Sequence, residues 1–197
     1  MALTLSKNQS ISLEKTAGSG LAEVSLGLGW DPVKSGGFFS KMLGGGGNAI
    51  DLDASCIVLD SGLNPVDLVW FRQLASKDGS IKHSGDNLTG EGDGDDETIH
   101  VDLQRLPGSI QHLVFTVNSF RGQTFDQVEN AYCRILNESK NQELARFNLA
   151  EKGRHTGVVM ASLSRGAGGW EFKAIGQSTH GRTADDLVNL AIQAVRA

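Results

Sequence analysis

Thirteen consecutive residues, Gly85-Asp-Asn-Leu-Thr-Gly-Glu-Gly-Asp-Gly-Asp-Asp-Glu97, place six carboxylates (Asp86, Glu91, Asp93, Asp95, Asp96, Glu97) among four glycines. Acids packed this densely repel one another: two unit charges ~5 Å apart cost about 3 kcal/mol at an effective dielectric of about 20. A loop of this composition either stays loose and wet or gathers a cation. An all-oxygen donor set suits a hard ion, and Ca²⁺ takes about 6–8 oxygens from carboxylates, amides, backbone carbonyls and water. The glycines permit positive φ, which turns carbonyls toward such an ion. Calcium binding is therefore the first chemistry that the sequence suggests.

The plainer reading of an acid-rich segment is a solvated connection between strands. Three details argue against it. Glycines alternate with acids at Gly90, Gly92 and Gly94, a texture that shapes a backbone. The alternating run Thr98–Leu103 anchors the loop to a strand, so its acids cannot disperse. Finally, Ile50-Asp-Leu-Asp-Ala-Ser55 opens another apolar run, and strand alternation puts Asp51, Asp53 and Ser55 on one face. Two carboxylates on one face are costly in a core and natural beside a cation. Asp31, after Trp30 at the end of a third apolar run, offers a further oxygen. The EF-hand pattern fails from Asp86, where position 88 is Leu, from Asp93, where position 98 is Thr, and from Asp51, where position 56 is Cys. The acids outnumber what one ion needs, so two neighbouring ions are expected.

Other chemistries fit less well. Gly176-Gln-Ser-Thr-His-Gly-Arg-Thr183 resembles a phosphate loop with Arg in place of Lys, set between a predicted strand and a predicted helix. The remaining elements read as antiparallel, whereas a phosphate-loop enzyme needs a parallel βαβ core, so a nucleotide- or cyclic-nucleotide-binding protein using residues 176–183 is the alternative. Histidines 83, 100, 112, 155 and 180 show no zinc spacing, and His83 reads as a solvated loop histidine. No Gly-x-Ser-x-Gly elbow occurs. Cys56 and Cys133 sit in apolar runs without a CxxC and read as buried. The expected protein is not an enzyme.

The elements that must position these acids are mostly strands. Runs at Leu21–Leu28, Ile50–Leu59, Val66–Leu74, Leu113–Val117, Ala131–Leu136, Leu144–Leu149, Val158–Leu163 and Trp170–Ile175 are separated by turn clusters such as Asp60-Ser-Gly-Leu-Asn-Pro65. Many short strands with few helices predict an antiparallel β-sandwich. One C-terminal α-helix is expected, with Leu187, Leu190, Ala191, Ala194 and Val195 on one face and Thr183 capping it opposite Asp186. A short helical turn is expected over 124–129. A single domain over 1–197 is expected, with a flexible Gly/Phe-rich excursion at 35–47 that holds Phe38, Phe39, Met42 and Leu43. The net charge of −5 gives no electrostatic support to a nucleic-acid partner. The start of the chain has no secretion-signal pattern and no apolar run reaches a membrane span, so the expected location is cytoplasmic, which leaves peripheral association with a membrane open.

These same motifs carry a family resemblance. Gly27-Leu-Gly-Trp-Asp31, Ile50-Asp-Leu-Asp-Ala-Ser55, the acidic tract His83–Glu97 and Val114-Phe-Thr-Val117 resemble the TerD family of tellurium-resistance and stress-response proteins. Val69-Trp-Phe-Arg-Gln-Leu74 and the 176–183 segment are similar to its TerZ-type branch. The resemblance implies a mainly β, TerD-type sandwich that binds Ca²⁺ through the acidic loop and the Asp-x-Asp strand. It also implies a bacterial gene set linked to tellurite, phage and colicin resistance, and hence other tellurium-resistance and stress proteins as partners. By matching positions, Asp51, Asp53, Asp86, Glu91, Asp93, Asp95, Asp96 and Glu97 are the acidic ligands it implies, with oxygens from Asn87 and Leu88 and with Asp31 from the Gly-Trp-Asp motif. The longer 35–47 stretch departs from the shortest members of the family.

Overall fold

Alternation of apolar residues along the strands produces two stacked sheets, as expected. The computed structural model describes residues 2–18, 20–32, 50–85, 94–150 and 152–197. Twelve strands are described: β1 (Leu3–Leu5), β2 (Ser10–Ser12), β3 (Glu23–Pro32), β4 (Asp53–Asp60), β5 (Pro65–Val69), β6 (Ile81–His83), β7 (Glu97–Asp102), β8 (Ile110–Asn118), β9 (Val128–Asn137), β10 (Gln142–Asn148), β11 (Gly157–Gly166) and β12 (Gly169–Thr179). One sheet runs β1-β10-β9-β3-β7-β6 and the other β2-β12-β11-β8-β4-β5. Every pair is antiparallel except β1 with β10. The expected excursion at 35–47 lies outside the described residues.

The core lies between the sheets. Leu26 and Leu28 of β3, Ile99 and Val101 of β7, and Cys133 and Ile135 of β9 face Cys56 and Val58 of β4, Leu113 and Phe115 of β8 and Phe172 of β12. A second apolar layer covers the far side of the second sheet. There Leu187, Ala191 and Ala194 of α2 (Ala184–Arg196) pack on Ile57, Leu59, Val114, Val159 and Ile175. Strand β4 is therefore covered on both faces, which explains why its run from 54 to 59 is uniformly apolar or small rather than alternating.

Helix α2 starts as its sequence dictates. Thr183 Oγ1 accepts from the Asp186 N–H (3.3 Å), and Asp186 Oδ2 accepts from the Thr183 N–H (3.0 Å). The structure corrects several boundaries. The run Val66–Leu74 is a strand only to Val69, because Trp70 and Gln73 exchange backbone hydrogen bonds (3.1 and 2.9 Å) and close a turn. The 124–129 turn is a single 3₁₀ turn at Phe125–Gln127. Three short strands (β1, β2, β6) and the five-residue helix α1 (Leu13–Ala17) have too few residues to show a period in sequence.

Cys56 and Cys133 are both fully enclosed in the main core. Burial pushes the Cys56 thiol far above its ordinary range, with the Asp67 charge adding to the effect, and pushes Cys133 up to about 12. Neither thiol will react with a thiol-specific chromogenic reagent in the native protein, and both will react in denaturant; a stoichiometric reading without denaturant would contradict this packing.

Candidate metal centre

The C-terminal end of β3, the segment that leads into β4 and the start of β7 meet at one end of the sandwich. Trp30 joins them: its indole N–H donates to the Ile50 carbonyl (3.2 Å), and its backbone N–H donates to Asp96 Oδ2 (2.8 Å). The Asp96 N–H donates to the Leu28 carbonyl (2.8 Å), which seats the 94–97 segment on β3. Glu97 points between the sheets and is 1 % exposed; its Oε2 accepts from the Ala54 N–H of β4 (2.7 Å).

His83, at the end of β6, completes this link. The Gly85 N–H donates to His83 Nδ1 (3.0 Å), so the ring proton resides on Nε2. Nε2 lies 3.1 Å from the Ala54 carbonyl and 3.2 Å from Glu97 Oε2. His83 is thus a buried bridge between the two flanks of the acidic loop and the opposite sheet, not the solvated histidine expected from sequence. Burial alternates along Ile81-Lys-His83, but three residues are too few to signal this in sequence.

The acids divide into groups. Asp31, Asp95, Asp96 and Glu97 share one electrostatic neighbourhood. The Asp96 carboxyl is pushed up to about 6, first by burial and then by Asp31, Glu97 and Asp95, against the lowering effect of the Trp30 N–H. Asp31 accepts from Asn130 Nδ2 (2.7 Å). Asp53 opens β4 of the neighbouring sheet and Asp51 lies two residues before it, each 6 % exposed. Arg121 Nε pairs with Asp51 Oδ2 at 2.8 Å, and Gln123 Oε1 accepts from the Asp51 N–H (2.9 Å).

Asp95 is held by groups of the protein itself. Both of its oxygens accept from Arg134 (2.8–3.1 Å), and Oδ1 also accepts from the Tyr132 hydroxyl (2.9 Å). A cation of the protein thus compensates this carboxylate on the outer face of β3 and β9. Arg134 continues to Glu143 (3.0 Å), which also pairs with Arg146. Gly27 is required beneath this cluster, because a Cβ there would overlap the Asp95 carboxylate.

Asp86, Asn87, Leu88, Glu91 and Asp93 lie outside the described residues. Among the described residues, no group of three or more His, Cys, Asp or Glu side chains is arranged to hold a metal ion. Of the described acids, Asp95, Asp96 and Glu97 follow closely on residues 86–93, and carboxylate oxygens are the donors that a hard cation takes.

The TerD domain profile matches residues 1–191 of the chain. The chain belongs to the TerD family. It is 51 % identical to tellurium resistance protein TerZ of Serratia marcescens over 193 residues, covering 98 % of each. It is 43 % identical to stress response protein SCP2 of Bacillus subtilis (strain 168), covering 96 % of this chain and 98 % of that one. A crystal structure of a TerD homologue from Streptomyces coelicolor A3(2) aligns with a TM-score of 0.67 at 25 % identity, covering 86 % of this chain and 96 % of that chain. The TerD-type sandwich expected from sequence is therefore the observed one.

In this TerD-family chain the 176–183 segment lacks the geometry of a phosphate loop. Gly176 to Thr179 are the last residues of antiparallel β12, and Gly176 is a positive-φ residue whose Cβ position abuts Phe147. Two amides just before the helix are taken by the molecule's own carboxylate: Asp186 Oδ2 accepts from the N–H groups of Arg182 and Thr183, both at 3.0 Å. An anion from solution would compete with that contact. Among the described residues, no helix is long and apolar enough to cross a membrane.

The raised Asp96 pKa fixes the sign of a pH effect. An acid whose folded-state pKa exceeds its unfolded value near 3.8 binds more protons when folded, so its contribution falls as pH rises from about 4 to about 6. Asp96→Asn keeps an acceptor for the Trp30 N–H and removes the charge. In chelator, the variant will melt higher than the parent at pH 7.5, and the difference will vanish near pH 4; calorimetric melts across that range check it.

Proposed function

We propose that this TerD-family protein is a non-enzymatic calcium-binding module of a bacterial tellurium-resistance or stress-response system, working in the cytoplasm through protein partners. The observation that carries the reading is the environment of Asp96. It is half-buried and crowded by Asp31, Glu97 and Asp95, so a cation placed among these acids would relieve their mutual repulsion. Asp31, Asp51, Asp53, Asp96 and Glu97 would supply oxygens from the folded frame, and Asp86, Asn87, Leu88, Glu91 and Asp93 would supply them from the loop between. Two ions per chain match this number of acids. Asp95 would act mainly as the post that ties the loop to Arg134.

The protein's own residues do the positioning. Trp30 orients Asp96, Ala54 and His83 orient Glu97, and Gln123 holds the backbone at Asp51. Arg121 stands against Asp51 and would have to yield part of that contact to an incoming cation. The names of the relatives, tellurium resistance and stress response, support the physiological half of the reading.

In chelator-treated protein, adding Ca²⁺ to ~100 times its Kd will raise stability by about 2.7 kcal/mol per independent site, seen as an upward shift in Tm. Titration calorimetry will give two ions per chain. The double variant Asp53→Asn with Asp96→Asn will lose most of the heat and most of the shift. An unshifted parent would reject calcium binding, and an undiminished variant would move the site elsewhere.

A further inference from the structure

The turn after β5 builds a feature that the ion-binding reading leaves unused. Closing the chain between Trp70 and Gln73 lifts Phe71 and Arg72 off the sheet edge, beside Phe120 in the loop after β8. The Trp70 and Phe71 rings lie 5.1 Å apart at 66°, and Phe71 and Phe120 lie 6.3 Å apart at 61°. The Arg72 guanidinium carbon sits 5.4, 5.2 and 5.9 Å from the centroids of Trp70, Phe71 and Phe120. One cation is therefore within stacking range of three rings.

Two properties of this cluster have no use inside the fold. Phe120 is 49 % exposed, and Leu74 on the same turn is 46 % exposed. Arg72 is exposed, and among the described residues no carboxylate pairs with it. Arg121, next to Phe120 in the chain, is by contrast committed to Asp51. The rings restrain the Arg72 side chain, so less entropy is lost when its planar fork of N–H donors meets an acceptor. Trp, Phe and Arg are enriched at interface centres, and Trp and Arg in particular among the residues that carry most of the binding energy.

We propose that the Trp70–Phe71–Arg72–Phe120 face docks a partner protein through an exposed segment that carries a carboxylate beside an aromatic or large aliphatic side chain. The carboxylate accepts two hydrogen bonds from Arg72, and the apolar side chain lies against Phe71 and Phe120. An anionic bilayer fits less well, because stable adsorption takes a cluster of about 4–8 basic residues, whereas this chain has a net charge of −5. The same charge argues against nucleic acid. A single carboxylate at contact distance responds chiefly to Arg72, since more distant charges are screened within about 8 Å. This surface stands whether or not the acid-lined end binds calcium.

The full chain, immobilised, is panned against a phage-displayed random dodecapeptide library, and enriched peptides are titrated by fluorescence anisotropy. The expected result is a shared Asp or Glu next to Trp, Phe, Leu or Ile, with Kd weakened about tenfold or more by Arg72→Gln and by Phe120→Ser. Arg105→Gln, a change in the turn after β7 of the other sheet, should leave Kd unchanged. Because Arg72 and Phe120 are both surface residues, two separate variants guard against loss of fold, checked by circular dichroism. Absence of an enriched motif, or equal binding by both variants, overturns the proposal. Arg72-dependent sedimentation with vesicles of about 30 mol% phosphatidylserine overturns it in favour of a membrane. Arg72-dependent self-association in sedimentation velocity overturns it in favour of a second copy.

Discussion

One buried carboxyl group holds the acid-lined end of this protein together. Glu97 belongs to β7 of the first sheet, yet its oxygen accepts from the Ala54 N–H in β4 of the second. His83, from the neighbouring strand, closes on the same oxygen and on the Ala54 carbonyl while its other nitrogen receives the Gly85 N–H. The two sheets and the residues on either side of 86–93 therefore meet in one small cluster of contacts. Removing one partner of such a buried hydrogen bond costs on the order of 1–3 kcal/mol, and more where the group left behind is charged. The polar group is retained where an apolar residue would pack more easily, which fits a site that must be placed rather than merely stabilised.

Around that tether, the fold handles negative charge in two ways. Some acids are neutralised by the protein's own guanidinium groups: Asp95 by Arg134, Asp51 by Arg121, Glu143 by Arg134 and Arg146. Asp96 instead sits where burial and its acidic neighbours oppose ionisation. The Asp95–Arg134 pair ties the 94–97 segment to β9. It also explains the glycine at position 27, whose missing side chain makes the space in which Asp95 reaches its arginine.

Much of the architecture was legible because long strands and one long amphipathic helix repeat their periods many times. The sandwich, the capped C-terminal helix and the meeting of Asp31, Asp96 and Glu97 near one end follow from alternation and from the acidic motif. The short strands β1, β2 and β6 were not legible, since three residues cannot establish a period. His83 was missed for the same reason, as its strand is only Ile81–His83. The roles of Arg121 and Arg134 were hidden differently. Each meets its acid across at least 39 positions of chain, and no local pattern encodes such a pairing. The strand expected through Leu74 failed because a turn with an exposed arginine among rings imitates a half-buried strand.

The sealed sulfurs carry a physiological corollary. Peroxides and soft oxyanions consume whatever thiolates they can reach, and the damage climbs a ladder whose upper rungs no cellular reductant reverses. Relatives of this chain are named for tellurium resistance and for stress. Keeping Cys56 and Cys133 protonated and out of contact with solvent holds both sulfurs off that ladder for as long as the chain stays folded.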